Sequence, residues 1–127
     1  MRELKFRVWW KDTKRFLDCD EWYMTCYGAK YLHYAVMPYK DDNFIIEQYT
    51  GLKDKNGHKI YEGDIVLDCY DGDDAFIVEW DKDTASFILT DTEHILNVSF
   101  DNFYPDKYLE IIGNIHESNM EELCQKE

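Results

Sequence analysis

The residues of this 127-residue chain best suited to bind a metal are four cysteines and four histidines. A structural zinc site needs such ligands in close pairs, for example Cys-x-x-Cys, so that one turn of chain presents two of them. Cys19, Cys26, Cys69 and Cys124 form no such pair, and no two histidines stand at i,i+4. The nearest approach to a cluster is Cys19, Cys26 and His33, at intervals of seven. Since buried thiols usually pack as small hydrophobic groups, we predict no metal site.

Acidic residues crowd positions 54–83 and suggest calcium. An EF-hand loop needs oxygen ligands at its first, third and fifth positions, glycine at the sixth and glutamate at the twelfth. A loop starting at Leu52 matches at Asp54 and Asn56, and Gly57 stands at its sixth position. It fails at both ends, because its first residue is Leu52 and its last is Gly63. Turns also prefer Asp and Gly, so we predict no calcium site.

Hydrolytic or nucleotide chemistry lacks a recognisable motif, because GxSxG, GxGxxG and the P-loop are all absent from the sequence. Among 27 acidic residues, a pair such as Glu62 and Glu79 can be chosen at will. A lone histidine such as His94 is more often an exposed polar residue than a general base. We therefore predict no catalytic residues and no cofactor. An enzyme without a recognisable motif remains the third interpretation.

The elements that would position any site begin with a hairpin over residues 2–18. Hydrophobic residues alternate with basic ones from Leu4 to Trp10, which predicts a strand, and the polar residues 11–14 predict a turn before a return strand. The arm carries six basic side chains, which we expect on the solvent face of the hairpin: Arg2, Lys5, Arg7, Lys11, Lys14 and Arg15.

Segment 22–49 holds eight aromatic residues in 28 positions. Its tyrosines at 23, 27, 31 and 34 have helical spacing, so a helix ending before Pro38 is one alternative. Tyr and Trp prefer strands, and Gly28 would cost a helix about 1 kcal/mol. We favour strands at 22–27 and 31–37 joined by a turn at 28–30, then a turn at 41–43 and a strand at 44–49.

The pattern of the second half predicts short strands separated by turns that contain Gly and Asp. We predict a turn at 54–57, a Gly63-Asp64 corner that opens a strand, a hairpin of 75–80 with 85–90, and a last strand at 108–115. Ser118 to Glu121 could form the capping box of a short C-terminal helix. The pattern predicts a mainly β, all-β fold closed into a barrel, which leaves few exposed edges.

The net charge is −13, from 14 basic and 27 acidic residues. Binding DNA requires lysine and arginine to neutralise phosphates, so we predict no direct nucleic-acid binding. An acidic surface also resists anionic membranes. Apolar runs do not exceed four residues, as at 34–37 and 75–78, and residues 1–15 hold no secretory signal. We expect a soluble, cytoplasmic domain.

One run of residues resembles a known family. The sequence Tyr49-Thr50-Gly51-Leu52-Lys53-Asp54-Lys55-Asn56-Gly57-His58-Lys59-Ile60-Tyr61-Glu62-Gly63-Asp64-Ile65-Val66 is similar to the signature of the YopX family of phage and prophage proteins. The opening Lys5-Phe6-Arg7-Val8-Trp9 and the late Glu110-Ile111-Ile112-Gly113-Asn114-Ile115-His116-Glu117 strengthen the resemblance. Trp10 and the aromatic segment 19–48 depart from the family pattern.

The resemblance implies one YopX-like domain over 1–127, in the cytoplasm of a bacterial host. It would comprise an N-terminal segment (1–50), an SH3-like barrel core (51–117) and a C-terminal tail or short helix (118–127). It brings no catalytic residues. We interpret its signature residues as structural: Tyr49, Gly51, Asp54, Gly57, Tyr61, Gly63, Asp64, Gly113 and Asn114. Gly51, Gly57 and Gly63 would supply positive φ or allow close approach, and Asp64 would accept backbone N–H groups. The alternative is a ligand-binding loop lined by Tyr49, Tyr61 and Asp64.

The aromatic segment has two interpretations. Its rings either pack in the core or form an interface, for which the candidates are Trp22, Tyr23, Tyr27, Tyr31 and Tyr34. Our first functional hypothesis is an uncharacterised phage or prophage accessory protein, a non-enzymatic β-barrel interaction module that binds a protein partner or itself as a homo-oligomer. The alternative is an acidic DNA mimic, a decoy that occupies a basic host protein.

Overall fold

Strands make up most of the computed structural model, which describes residues 4–18, 22–25, 28–31, 44–70, 74–91, 97–100 and 104–117. The elements in chain order are β1 (Phe6–Trp10), β2 (Arg15–Phe16), β3 (Trp22–Thr25), β4 (Gly28–Tyr31), β5 (Phe44–Lys53), β6 (Lys59–Tyr61), β7 (Asp64–Asp68), β8 (Asp74–Asp81), β9 (Ser86–Asp91), β10 (Asn97–Ser99), α1 (Pro105–Tyr108) and β11 (Leu109–Asn114). The all-β prediction is confirmed.

The strands form a four-stranded sheet in the order β2-β1-β5-β6, a five-stranded sheet in the order β10-β9-β8-β7-β11, and the separate pair β3-β4. Every pairing is antiparallel. The barrel expected over 51–117 takes the form of a curled half-barrel beside a second sheet. β5 runs through the boundary that the sequence placed between positions 50 and 51.

Each of the two larger sheets carries its own hydrophobic cluster. Val8, Trp10 and Leu17 are buried in the first, with Trp22 and Phe44 packed against them. The larger cluster draws most of its residues from the five-stranded sheet, together with Ile60 of β6 and Phe100 after β10; its members are Ile60, Val66, Phe76, Val78, Leu89, Phe100 and Leu109. The period-two pattern correctly placed Val8 with Trp10 in one cluster and Phe76 with Val78 in the other, whereas Leu4 and Trp80 of the same predicted faces are exposed.

Several local predictions hold in detail. The N-terminal hairpin forms with Trp9 opposite Phe16. The predicted hairpin of the second half forms with Val78 opposite Leu89 and Trp80 opposite Phe87. Strands are present at 22–25 and 28–31, where a helix was the rival interpretation.

The turn predicted at 28–30 is wrong. Gly28, Ala29 and Lys30 belong to β4 and pair with Thr25, Met24 and Tyr23. Glycine can end a strand as well as form a turn, and the spacing alone did not distinguish the two. The predicted turn at 41–43, residues 32–37 of the predicted strand and the C-terminal helix lie outside the described residues.

Three features of the second half depart from the prediction. A register shift between Ile111 and Gly113 in β11 interrupts the simple alternation expected there. The strand β10 and the one-turn helix α1 were not predicted. Pro105, at the first turn of α1, was the available signal for that helix.

Candidate functional site

Arg7 lies at the centre of a partly buried ion network that joins the two larger sheets. Its Nε donates to Glu47 Oε1 over 2.9 Å, and its Nη1 lies 2.8 Å from Asp64 Oδ1. Its Nη2 donates to the carbonyl oxygen of Glu62 at 3.0 Å. The prediction that Arg7 lies on the solvent face is wrong, because its side chain is only 18% exposed. The aromatic rings of Phe16 and Tyr61 cover the guanidinium at 4.5 and 4.9 Å.

The other carboxylate oxygen of Glu47 contacts a histidine. His116 Nε2 lies 3.0 Å from Glu47 Oε2, and the imidazole stacks on the Trp9 ring with centroids 4.9 Å apart. Both side chains of this pair are less than a tenth exposed. We call Arg7, Glu47, Asp64 and His116 the Arg7 latch, because they tie β1 and β5 to the start of β7 and to the chain that follows β11.

Local geometry explains why these groups meet. Arg7 and Glu47 are directly opposed in the β1–β5 register. Asp64 follows a tight corner at Gly63, whose φ of +82° is a left-handed conformation that favours glycine. A Cβ atom at Gly63 would collide with the Glu47 carboxylate, so the corner needs glycine for close approach as well. The sequence predicted the Gly-Asp corner but not its partner.

Burial raises the pKa of two carboxyl groups, those of Asp64 in the latch and of Glu62 next to it. For Asp64 the desolvation outweighs the opposing effects of Arg7 and of the Tyr61 N–H, which donates to Asp64 Oδ2 over 2.8 Å. For Glu62 desolvation again raises the pKa, against a hydrogen bond from the Gln48 backbone N–H at 2.9 Å. The ionised form of each group therefore carries a cost that folding must offset.

The charged groups of the latch are engaged with one another and with the backbone. Each carboxylate oxygen of Glu47 has a partner, and Asp64 uses both of its oxygens. Among the described residues, no buried side-chain nitrogen or oxygen lacks a hydrogen-bond partner.

A groove of about 580 Å³ opens beside the latch, where the two sheets diverge. Its walls come from the first half of β5, the corner at Glu62 and Gly63, and the second half of β8. Its lining residues are Ile45, Ile46, Glu47, Glu62, Gly63, Ile77, Val78, Glu79, Trp80 and Ile115. Trp80 and Ile115 are large hydrophobic residues that are nevertheless 47% and 46% exposed.

The groove exists because β6 pairs with only part of β5, and β7 pairs with only part of β8. β7 pairs with residues 74–77 of β8, and the next contact is the Gly63 N–H donating to the Val78 carbonyl over 2.8 Å. Backbone direction alternates along a strand, so the N–H and C=O of Trp80 point to the same side as the Val78 carbonyl, away from β9. Within the described chain, the groove edge of β8 at Trp80 has no neighbouring strand.

The signature residues of the sequence lie mainly in backbone-supporting positions. Asp54, 2% exposed, accepts the backbone N–H groups of Asn56, His58 and Ile111. Asn114 Oδ1 accepts those of His116 and Glu117 at 3.0 Å. Gly51 and Gly57 have φ values of 89° and 83°, as expected, and Gly113 lies at the register shift of β11.

The structure brings together Tyr49, Tyr61 and Asp64, the side chains considered as the lining of a ligand-binding loop. The two tyrosine rings lie 5.6 Å apart, and Arg7 links Tyr61 to Asp64. Tyr49 and Asp64 are nevertheless buried, at 4% and 3% exposure. The open surface is the neighbouring groove, which shares none of these three residues.

The structure describes the candidate interface residues only in part. Trp22 is half-buried against the first cluster, which is a core position. Tyr23 and Tyr31 pair within β3 and β4 as Tyr23 with Lys30 and Trp22 with Tyr31. Tyr27 and Tyr34 lie outside the described residues.

Sequence reasoning missed the groove residues. Ile45, Ile46 and Ile115 resemble ordinary strand residues, and Trp80 was expected to face Phe87 and Leu89 in its hairpin, with no signal that it would remain 47% exposed. Glu62 and Glu79, which no motif distinguishes from the other acidic residues, both line the groove.

Two further observations concern chemistry and membranes. In the described ranges, no three His, Cys, Asp or Glu side chains form a group that could hold a metal ion. Cys69 is exposed and 3.6 Å from Lys55 Nζ, so the expectation of buried thiols is wrong at this position. The other three cysteines lie outside the described residues. No helix in the described part of the chain is long and apolar enough to cross a bilayer.

Comparison with known proteins identifies the family. The YopX protein family matches residues 5–121, nearly the whole chain, and the chain belongs to this family. Among solved structures, protein EF1440 from Enterococcus faecalis is similar, with 22% identity and a TM-score of 0.59. The similarity covers 92% of this chain and 96% of that one, and it concerns the fold. No curated protein matches the sequence.

Proposed function

We propose that this member of the YopX family is a non-enzymatic accessory protein of a phage or prophage, which acts in the bacterial cytoplasm by binding a protein partner in the groove. Family membership supports the phage or prophage origin. The internal use of Arg7, Glu47 and Asp64 supports a binding role over a catalytic one.

The observation that carries this function is the groove with its exposed apolar rim. A volume of about 580 Å³ falls within the range of roughly 300–1,000 Å³ typical of ligand sites. Trp80 and Ile115 remain about half exposed at its edge. Exposed tryptophan in a concave apolar site is characteristic of binding hot spots, since it buries a large area at low entropic cost.

Selection from a random-peptide library against the immobilised protein tests this function. We expect enriched peptides whose affinity falls about tenfold in Trp80→Ala. Leu52→Ala is the matched control, because Leu52 is also exposed, at 38%, but does not line the groove. Trp80 contacts Phe87, so thermal unfolding must show that the Trp80→Ala variant is folded; Ile115→Ala provides a second groove variant.

The function would be refuted by a library that yields no binder, or by peptides that bind wild type and both groove variants equally. Light scattering adds one further outcome. A dimer that Trp80→Ala dissociates would identify the occupant as a second copy of this chain.

A further inference from the structure

We infer that the partner presents an extended segment, which adds as a strand to the groove edge of β8 beside Trp80 and places a lysine or arginine against Glu62. This inference rests on the proposed function and specifies the chemistry of the same site.

The backbone of β8 supports strand addition. The pairs Val66 with Phe76 and Val78 with Leu89 keep an unbroken register through β8, so Phe76, Val78 and Trp80 direct their backbone groups to one side. β7 occupies that side at Phe76, and the Gly63 N–H occupies it at the Val78 carbonyl. Trp80 is the next position in line, where an added strand would continue the place of β7. An extended peptide can satisfy such an edge with main-chain hydrogen bonds.

The charge of the groove selects the sign of the partner. Three of its ten lining residues are glutamates and none is basic. Arg7 and His116 already engage Glu47, and Glu79 accepts a hydrogen bond from Thr90 at 3.2 Å. Glu62 differs from these, because its carboxylate accepts a hydrogen bond from the neutral backbone N–H of Gln48. Within the described residues, no lysine or arginine side chain forms an ion pair with Glu62.

Burial supports the same assignment. Desolvation raises the pKa of Glu62, and the Gln48 N–H and the charge of Arg7 offset that shift only in part. A cationic side chain laid along the groove would compensate the carboxylate, while its methylene groups pack on the apolar wall near Trp80. A phosphate or other anionic ligand would add repulsion from all three glutamates.

Four peptides test the inference in titrations followed by ¹⁵N–¹H NMR. The first is acetyl-Val-Thr-Val-Lys-Val-Thr-Val-amide, and the second carries Glu in place of Lys. The other two carry N-methyl groups on alternate amides, on one edge of the strand or on the other. We expect the lysine peptide to shift the amides of Trp80 and Gly63, and to bind about tenfold tighter than the glutamate peptide. The peptide that is N-methylated on the edge facing β8 should not bind, whereas the peptide methylated on the opposite edge should still bind.

Glu62→Gln should reduce the preference for the lysine peptide to about twofold, since it removes the charge but keeps an acceptor for Gln48. Glu117→Gln, which makes the same charge change at an exposed residue outside the groove, should leave the preference unchanged. Equal binding of the lysine and glutamate peptides, or of both N-methylated peptides, would overturn the inference. If library-selected peptides still bind at the groove, the proposed function survives that result; if neither set of peptides shifts groove amides, both fail.

Discussion

At the scale of single residues, buried carboxylates hold the backbone in place at turns. Asp54 and Asp64 use their oxygens on backbone N–H groups and on Arg7, which fixes the chain at two turns. Burial raises the pKa of Asp64 and also that of Glu62, which lacks the direct ion pair with Arg7 that Asp64 makes.

Glu62→Gln should raise thermal stability at pH 7. The pKa of Glu62 in the folded state lies above its ordinary value of 4.5 because of burial. The folded protein therefore binds this proton more tightly than the unfolded chain, and stability is lost as the pH rises from about 4.5 through the folded pKa. Unfolding followed by circular dichroism from pH 4 to 8 should show a gain at pH 7 that disappears at pH 4. A variant less stable than wild type at pH 7 would contradict this.

Asp54→Ala should lower the free energy of unfolding by about 2–4 kcal/mol, because it removes the acceptor of three backbone N–H groups. Asp54→Asn should cost less, since its one carbonyl oxygen can keep the contacts to Asn56 and His58. Urea denaturation measures both values. Equal losses in the two variants would show that the hydrogen bonds are not the cause.

At the scale of elements, the Arg7 latch decides how the two sheets meet. β1 and β5 supply Arg7 and Glu47, and the corner before β7 supplies Gly63 and Asp64. The Ile115 N–H also donates to the Gly63 carbonyl over 2.9 Å, which ties the end of β11 to the same corner. Beyond this corner β7 no longer pairs with β8, and the groove opens there.

Removing the arginine should be costly. Arg7→Met should destabilise the protein by about 3 kcal/mol at pH 7, because Glu47 and Asp64 would keep buried charge without their main cation. The loss should shrink as the pH falls and the Asp64 carboxyl group, whose pKa burial raises, becomes protonated. Denaturation at pH 7 and pH 4 measures it, and a loss that is the same at both would contradict the ion-pair explanation.

Two glycines at nearly equal φ separate strain from contact. Gly57→Ala should cost about 1 kcal/mol, since φ is +83° and nothing lies within 4 Å of the added Cβ. Gly63→Ala should cost at least about 2 kcal/mol more, because the added Cβ also meets the Glu47 carboxylate. Chemical denaturation of both variants compares them. Equal costs would mean that the close approach of Gly63 to Glu47 contributes nothing.

The local pattern of the sequence was enough to predict several of these elements. The Asn56-Gly57 turn and the opposition of Val78 and Leu89 follow from turn chemistry and period-two alternation over a few residues. The ion pair of Arg7 with Glu47 did not, because it joins positions 40 apart through a strand register that no local signal sets. The groove was equally inaccessible, since it depends on where β6 and β7 stop pairing.

At the scale of the whole molecule, the acidic residues do not all lie on the surface. Glu47, Asp54, Asp64 and Asp68 are buried, so these carboxylates serve the fold instead of forming a ridge like the phosphates of DNA. No observation on the described residues favours the decoy hypothesis. The groove brings the carboxylates of Glu62 and Glu79 next to the exposed apolar surface of Trp80 and Ile115, which makes it the feature to measure.

Amide hydrogen exchange at Trp80 tests the role of the groove most directly. In the free protein we expect the Trp80 amide to exchange rapidly, because it lies on an unpaired edge, whereas the Phe76 amide of the same strand is protected by β7. A library-selected peptide should slow exchange at Trp80 and leave Phe76 unchanged. Strong protection of Trp80 in the free protein, or protection by the peptide only at sites away from the groove, would contradict a partner-binding edge at β8.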